Sequence, residues 1–238
     1  MTSTRPRNLA LAHEIPTEII SRLHGHEALL RRIRHSEDFA SHDALDEIVR
    51  ELDAICRADG IVGVHYTRGH RGQISAQGLL TRSGQERRDE FLDAHGHRFT
   101  SAQRQRLVAG WSPYFNAEQN RIRDSRVWFN TTRIATSIGG AEPLLAHYGG
   151  EVVYMPFSRD EEIEEILRSL GDPMIVECAL RTDSVRTFCE YPWGRTWLSS
   201  YHCSVNPDAF QWDVDLFTEV GVPPDSILRI EIVGTGRG

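Results

Sequence analysis

Three short stretches combine apolar, strand-like runs with polar side chains that chemistry could use. The run Ile61-Val62-Gly63-Val64 ends in His65-Tyr66-Thr67-Arg68, and Ile74, Gly78, Leu79 and Leu80 follow it. A helix closing on a tight turn at Gly78 would hold that strand end open as a floor for a ligand. A second apolar run, Val127-Trp128-Phe129-Asn130, ends in Thr131-Thr132, with Ala146-His147-Tyr148 after it. The third stretch, Phe217-Thr218-Glu219-Val220-Gly221-Val222-Pro223, sets one carboxylate inside an apolar strand before a Pro turn. A lone Glu there should face solvent on an edge strand, or else a cleft. Taken singly, each stretch also fits a structural role. His65 suits a hydrogen-bonded strand end, Trp128 suits a core, and for Phe129 the core reading is preferred.

The elements that must position these residues follow from periodicity. Ile19, Ile20 and Leu23, then Leu45, Ile48, Val49, Leu52 and Ile55, recur at helical spacing, and Ser41-His42-Asp43 suits the start of the last helix. Gly60 opens a strand from Ile61 to Thr67. Thr81 to Arg126 is polar and Arg-rich, with helices expected near Glu86 to Leu92 and Ser101 to Leu107, and reads as a helical insertion. Further strands are expected at Val127 to Asn130, Val152 to Phe157, Met174 to Leu180, Leu216 to Val222 and Ile227 to Val233. Helices are expected at Ala141 to His147 and Asp160 to Leu170, and Thr187 to Phe210 reads as a long loop or edge strand. Strands gathered in the second half predict an α+β fold. A helical segment over residues 1–59 would precede a catalytic domain over 60–238, with the insertion at 81–126. The Gly-rich end from Gly234 lacks the following helix that a dinucleotide fingerprint requires.

Composition bounds the chemistry. The 238 residues are 39% hydrophobic and 26% charged, enough for one substantial core. All 27 of the Lys+Arg residues are Arg, which removes Schiff-base chemistry and any P-loop lysine. A formal net charge of -7 argues against a surface built throughout to neutralise phosphates. The four cysteines form no C-x-x-C pair and read as reduced thiols in a cytosol-like compartment, so a cytoplasmic location is expected. No apolar run suggests a signal peptide or membrane span. His24 and His26, like His95 and His97, lie two residues apart, a spacing that points side chains apart, and no metal is expected.

His65-Tyr66-Thr67, then Trp128-Phe129 with Ala146-His147-Tyr148, then Glu219 before Val222-Pro223, resemble in order the His-Tyr-Glu signature of the diphtheria-toxin and poly(ADP-ribose) polymerase class of ADP-ribosyltransferases. The resemblance covers roughly Gly60 to Val233. It implies a split-sheet core that binds NAD as substrate, with His65 and Thr67 on the adenosine ribose and the nicotinamide amide beside His65. It also implies a nicotinamide ring stacked on Tyr148 and a second aromatic, Trp128 or Tyr66, with Arg68 and Phe129 in the same binding set. Glu219 would accept a hydrogen bond from the nicotinamide-ribose 2′-hydroxyl and oppose the charge of the oxocarbenium ion, so the implied catalytic residues are Glu219, His65 and Tyr148. The chain departs from the common pattern at Tyr66, where Gly is frequent, and at Leu145, where many members carry Ser. Glu177 and Glu231 compete with Glu219 for the catalytic role.

The implied activity is transfer of ADP-ribose to a macromolecular acceptor, protein or nucleic acid. A glycohydrolase with water as acceptor, or a non-catalytic nucleotide-binding or interaction module, is the alternative. From Arg82 to Arg126 the chain is locally basic, which suits a lid, a target surface or simply a solvated helix pair. An antitoxin or other regulatory partner on the N-terminal helices is the association expected of a bacterial toxin or defence enzyme. No membrane partner is expected.

Overall fold

The computed structural model describes residues 5–234, so the Gly-rich end beyond Gly234 lies outside the described residues. In chain order the elements are α1 (Thr17–His24), α2 (Glu27–Leu30), α3 (Asp43–Asp59), β1 (Ile61–Gly69), α4 (Arg71–Gln77), α5 (Gly84–His95), α6 (Ser101–Tyr114) and α7 (Ala117–Arg123). They continue with β2 (Val127–Asn130), α8 (Glu142–Ala146), α9 (Glu151–Tyr154), α10 (Glu161–Ser169), β3 (Asp172–Leu180), α11 (Pro192–Val205), β4 (Asp215–Thr218) and β5 (Ile227–Ile232). The fold is α+β, with a five-stranded antiparallel sheet in the order β4-β2-β1-β3-β5 and Val64 opposite Asn130 between β1 and β2.

The chain divides into two compact units. The first takes in the residues up to Val64, Trp128–Ser137 and Cys178–Phe217; the second takes in His65–Val127, Ile138–Glu177 and the chain from Thr218 on. The N-terminal helices share the first unit with Trp128–Ser137 and α11.

In the first unit α3 packs on α11. Leu45, Ile48, Val49, Leu52 and Cys56 form the buried stripe of α3, as its spacing requires. Gly194 of α11 lies so close that a Cβ there would sit 1.9 Å from the Val49 carbonyl oxygen. Asp53, 1% exposed, accepts from the Trp193 and Gly194 amides at 3.1 and 3.3 Å, capping α11 from another helix, and takes the Arg57 Nε at 2.7 Å. Gly60 ends α3 at φ +84, a conformation that favours Gly, and turns the chain into β1.

In the second unit Phe91, Leu107, Trp111, Phe115, Val153, Phe157, Ile163 and Leu167 form an apolar cluster. Its helices start on strong caps. Ser83 with Glu86 and Thr100 with Gln103 form capping boxes for α5 and α6, and Asn116 and Asp160 cap α7 and α10.

Three expectations are corrected. Val152 to Phe157 is helical, α9 followed by a 3-10 turn over Met155–Phe157, because Val153, Tyr154 and Phe157 face the cluster at helical spacing and Trp111 Nε1 donates to the Val153 carbonyl at 2.9 Å. Thr187 to Phe210 holds α11, which starts at Pro192 and is buried on nearly every side, so it shows no amphipathic stripe. β4 stops at Thr218, leaving Glu219 and Val220 in a bend.

Candidate functional site

Within the second unit, β1 alternates. His65 and Thr67 are half-buried on one face, while Tyr66 and Arg68 are buried on the other. Arg68 donates from Nε to the Leu170 carbonyl at 2.8 Å and from Nη1 to the Leu145 carbonyl at 3.2 Å. Burial lowers its pKa, with Asp172 opposing. The expected NAD contact at Arg68 thus meets a guanidinium already committed to two carbonyls, one of them on the helix that leads to Tyr148.

After β1, α4 closes on Gly78 at φ +76, the tight turn expected there. Leu79 then exchanges both main-chain hydrogen bonds with Val222 at 2.9 and 2.8 Å. A Cβ on Gly78 would lie 2.0 Å from the Val222 carbonyl oxygen, so the approach requires Gly. The segment following His65 is in this way tied to the segment following Glu219.

Tyr148 is held from several sides. Its amide donates to the Leu167 carbonyl at 3.3 Å. The preceding His147 is buried, with Nδ1 at 2.8 Å from the Pro143 carbonyl, Nε2 at 2.9 Å from Glu164 and its ring stacked on Tyr154. Glu164 is held below the usual carboxylate range by its hydrogen bond from Arg168 and then by His147. The Tyr148 ring meets His95 edge-on at 4.5 Å, His70 at 5.6 Å and Phe91 at 6.2 Å. Burial raises the Tyr148 hydroxyl pKa, so the phenol is neutral at ordinary pH. His95 is lowered by burial and then by neighbouring His70, and its Nε2 is enclosed with no hydrogen-bond partner among the described residues.

Glu219 follows the edge strand β4, its side chain 52% exposed, with Arg126 Nη2 at 3.7 Å from Oε1. Its competitors sit differently. Glu177 is half-buried within β3, and Glu231 on β5 pairs with Arg229 at 3.0 Å.

Trp128 and Phe129 belong to the first unit. Phe129 is buried against Gly63, where a Cβ would meet its ring at 3.1 Å, in keeping with the core reading. Trp128 lies 4.9 Å from Phe217 and 6.3 Å from Phe188, which is 77% exposed.

Sequence reasoning missed His70, Phe91 and His95 around Tyr148 and Arg126 beside Glu219. His95 pairs with His70 at 5.9 Å across a turn and a helix, a contact that no local spacing signals. Burial pushes up the pKa of the Cys56, Cys189 and Cys203 thiols, which leaves none of these three poised as a nucleophile. Among the described residues no group of three or more His, Cys, Asp or Glu side chains is placed to hold a metal, and no helix is long and apolar enough to cross a membrane. Compared with models of known protein families, with curated proteins and with solved structures, the chain matches none.

Proposed function

We propose that this protein binds NAD, cleaves its nicotinamide-ribose bond and passes ADP-ribose to a macromolecular acceptor, protein or nucleic acid. The observation that carries the reading is the placement of Glu219. It is an accessible carboxylate just past an edge strand, on a segment tied by Leu79 and Val222 to the chain that follows His65. The neutral, firmly held Tyr148 supports it, because an aromatic face suits a cationic nicotinamide ring that loses its charge on leaving.

In this reaction His65 and Thr67 hold the adenosine ribose, and Tyr148 walls the nicotinamide ring. Glu219 accepts the 2′-hydroxyl hydrogen bond and opposes the positive charge on the ribose as the C1′–N bond breaks. The bonding pair goes to the ring nitrogen, giving neutral nicotinamide. The acceptor nucleophile then attacks C1′ and releases its proton to solvent. Tyr66 and Arg68 support the strand from behind.

The test is incubation of the protein and its Glu219→Gln variant with NAD labelled in the adenine moiety. The readouts are free nicotinamide and label on protein and on nucleic acid. Nicotinamide release that falls about 100-fold or more in the variant, with label on an acceptor, is the expected outcome. Release without transferred label would identify water as the acceptor. No release with any acceptor would overturn the reading.

A further inference from the structure

The two edges of the sheet differ. At β4, Phe217 exchanges both main-chain hydrogen bonds with Arg186, at 2.9 and 3.1 Å, so that edge is partly covered. Among the described residues the opposite edge strand, β5, pairs with β3 alone, and no isolated bridge lies on its outer side. It has no buried residue: Leu228 is 51% and Ile232 48% exposed, with Ile230 half-buried between them. An uncovered strand with an apolar face is a template for pairing with another chain.

Its register can be worked out. The Val233 amide donates to the Pro173 carbonyl at 2.9 Å, so the odd-numbered residues turn their main-chain groups towards β3. By alternation Leu228, Ile230 and Ile232 turn theirs to the open edge, and their side chains share one sheet face. Arg229 and Glu231 share the other face and pair with each other at 3.0 Å.

We propose that β5 pairs antiparallel with β5 of a second copy of this chain, about a two-fold axis through Ile230. That register is complementary to itself. Ile230 exchanges both main-chain hydrogen bonds with Ile230 of the second copy, and Leu228 does so with Ile232 of the second copy. These are the outward-facing groups. Arg229 then falls opposite Glu231 of the second copy at the non-hydrogen-bonded positions, where side chains approach most closely. Opposite charges meet twice, and the apolar stripe of one copy continues into the other. A slip of one residue would bring inward-facing main-chain groups to the edge, and a slip of two would unpair the charges. The two-fold axis closes the assembly at two copies.

Sedimentation equilibrium of the whole chain over a range of concentrations tests this. The expected result is a mass rising from 27.1 kDa to twice that value and stopping there. Ile230→Pro removes an outward N–H and leaves the bonds to β3 in place, and it should abolish the dimer while the circular dichroism spectrum is kept. Arg229→Glu sets like charges opposite each other and should weaken dimerisation at least 10-fold. So should Glu231→Arg, while the double swap Arg229→Glu with Glu231→Arg restores it and the two single variants pair when mixed. A mass that stays at one chain at every concentration, assembly beyond two copies, or a dimer indifferent to both Ile230→Pro and the charge variants would overturn the proposal.

Discussion

Asp53 in the first unit and Glu219 in the second are carboxylates under opposite constraints. Asp53 is buried, and its oxygens are spent on two helix amides and a guanidinium. Glu219 is half open to solvent, with one arginine at ion-pair distance. A buried carboxylate must have its hydrogen bonds satisfied by the protein itself, and in doing so it joins α3 to α11. An exposed carboxylate instead keeps an oxygen open to water or to a ligand. The contrast extends to the neighbourhoods: Gly194 touches the backbone of the facing helix, whereas Tyr148 sits among rings with a half-open surface.

The largest effect expected from breaking this contrast is at Gly194. Gly194→Ala places a Cβ 1.9 Å from a main-chain oxygen, which no side-chain adjustment relieves, and should lower stability by about 3 kcal/mol in urea unfolding. Next comes Asp53→Ala, which strips the cap from α11 and leaves its first amides unpartnered; about 2 kcal/mol is expected by the same measurement. A loss below about 0.5 kcal/mol would mean that water replaces the carboxylate and that the contrast with Glu219 is false.

A smaller effect, visible in its pH dependence, belongs to His95. Its folded pKa lies below the ordinary 6.5, so on acidification below that value the unfolded chain binds a proton that the folded one resists. Stability from this residue is complete above 6.5 and is lost as the pH falls through the folded pKa. His95→Phe should flatten that part of the stability profile, and an unchanged slope would show that the ring is not enclosed beside Tyr148. The smallest stability effect is expected at Glu219. Glu219→Gln should shift unfolding by no more than about 0.5 kcal/mol, because its contact with Arg126 is long and solvent-screened. Loss of nicotinamide release in a variant of undiminished stability would separate chemistry from folding.

Much of the fold was legible locally. Alternating or continuous apolar runs marked β1, β2, β3 and β5, and the periodic stripe of α3 was readable because its other face meets solvent. The turn at Gly78 was legible from one residue type. α11 was not, since a helix buried on nearly every side has no polar face to set its period, and the β-branched Val152-Val153 concealed the short helix α9. At the candidate site, His65, Tyr148 and Glu219 were singled out by the resemblance of their order along the chain to the His-Tyr-Glu signature. Their surroundings were not: the rings around Tyr148, the two carbonyls that occupy Arg68 and the arginine beside Glu219 come from segments far apart in the chain.

By itself the sequence determined that β1, β2, β3 and β5 are strands, that α3 carries an apolar stripe, and that the chain turns at Gly60 and Gly78, because propensity and glycine turns act over a few residues. Only the tertiary structure decided which carboxylate is buried and which is open, which arginine is committed, and which strands form the edges of the sheet. Burial and long-range hydrogen bonds depend on what the rest of the chain brings alongside, and no local pattern encodes that.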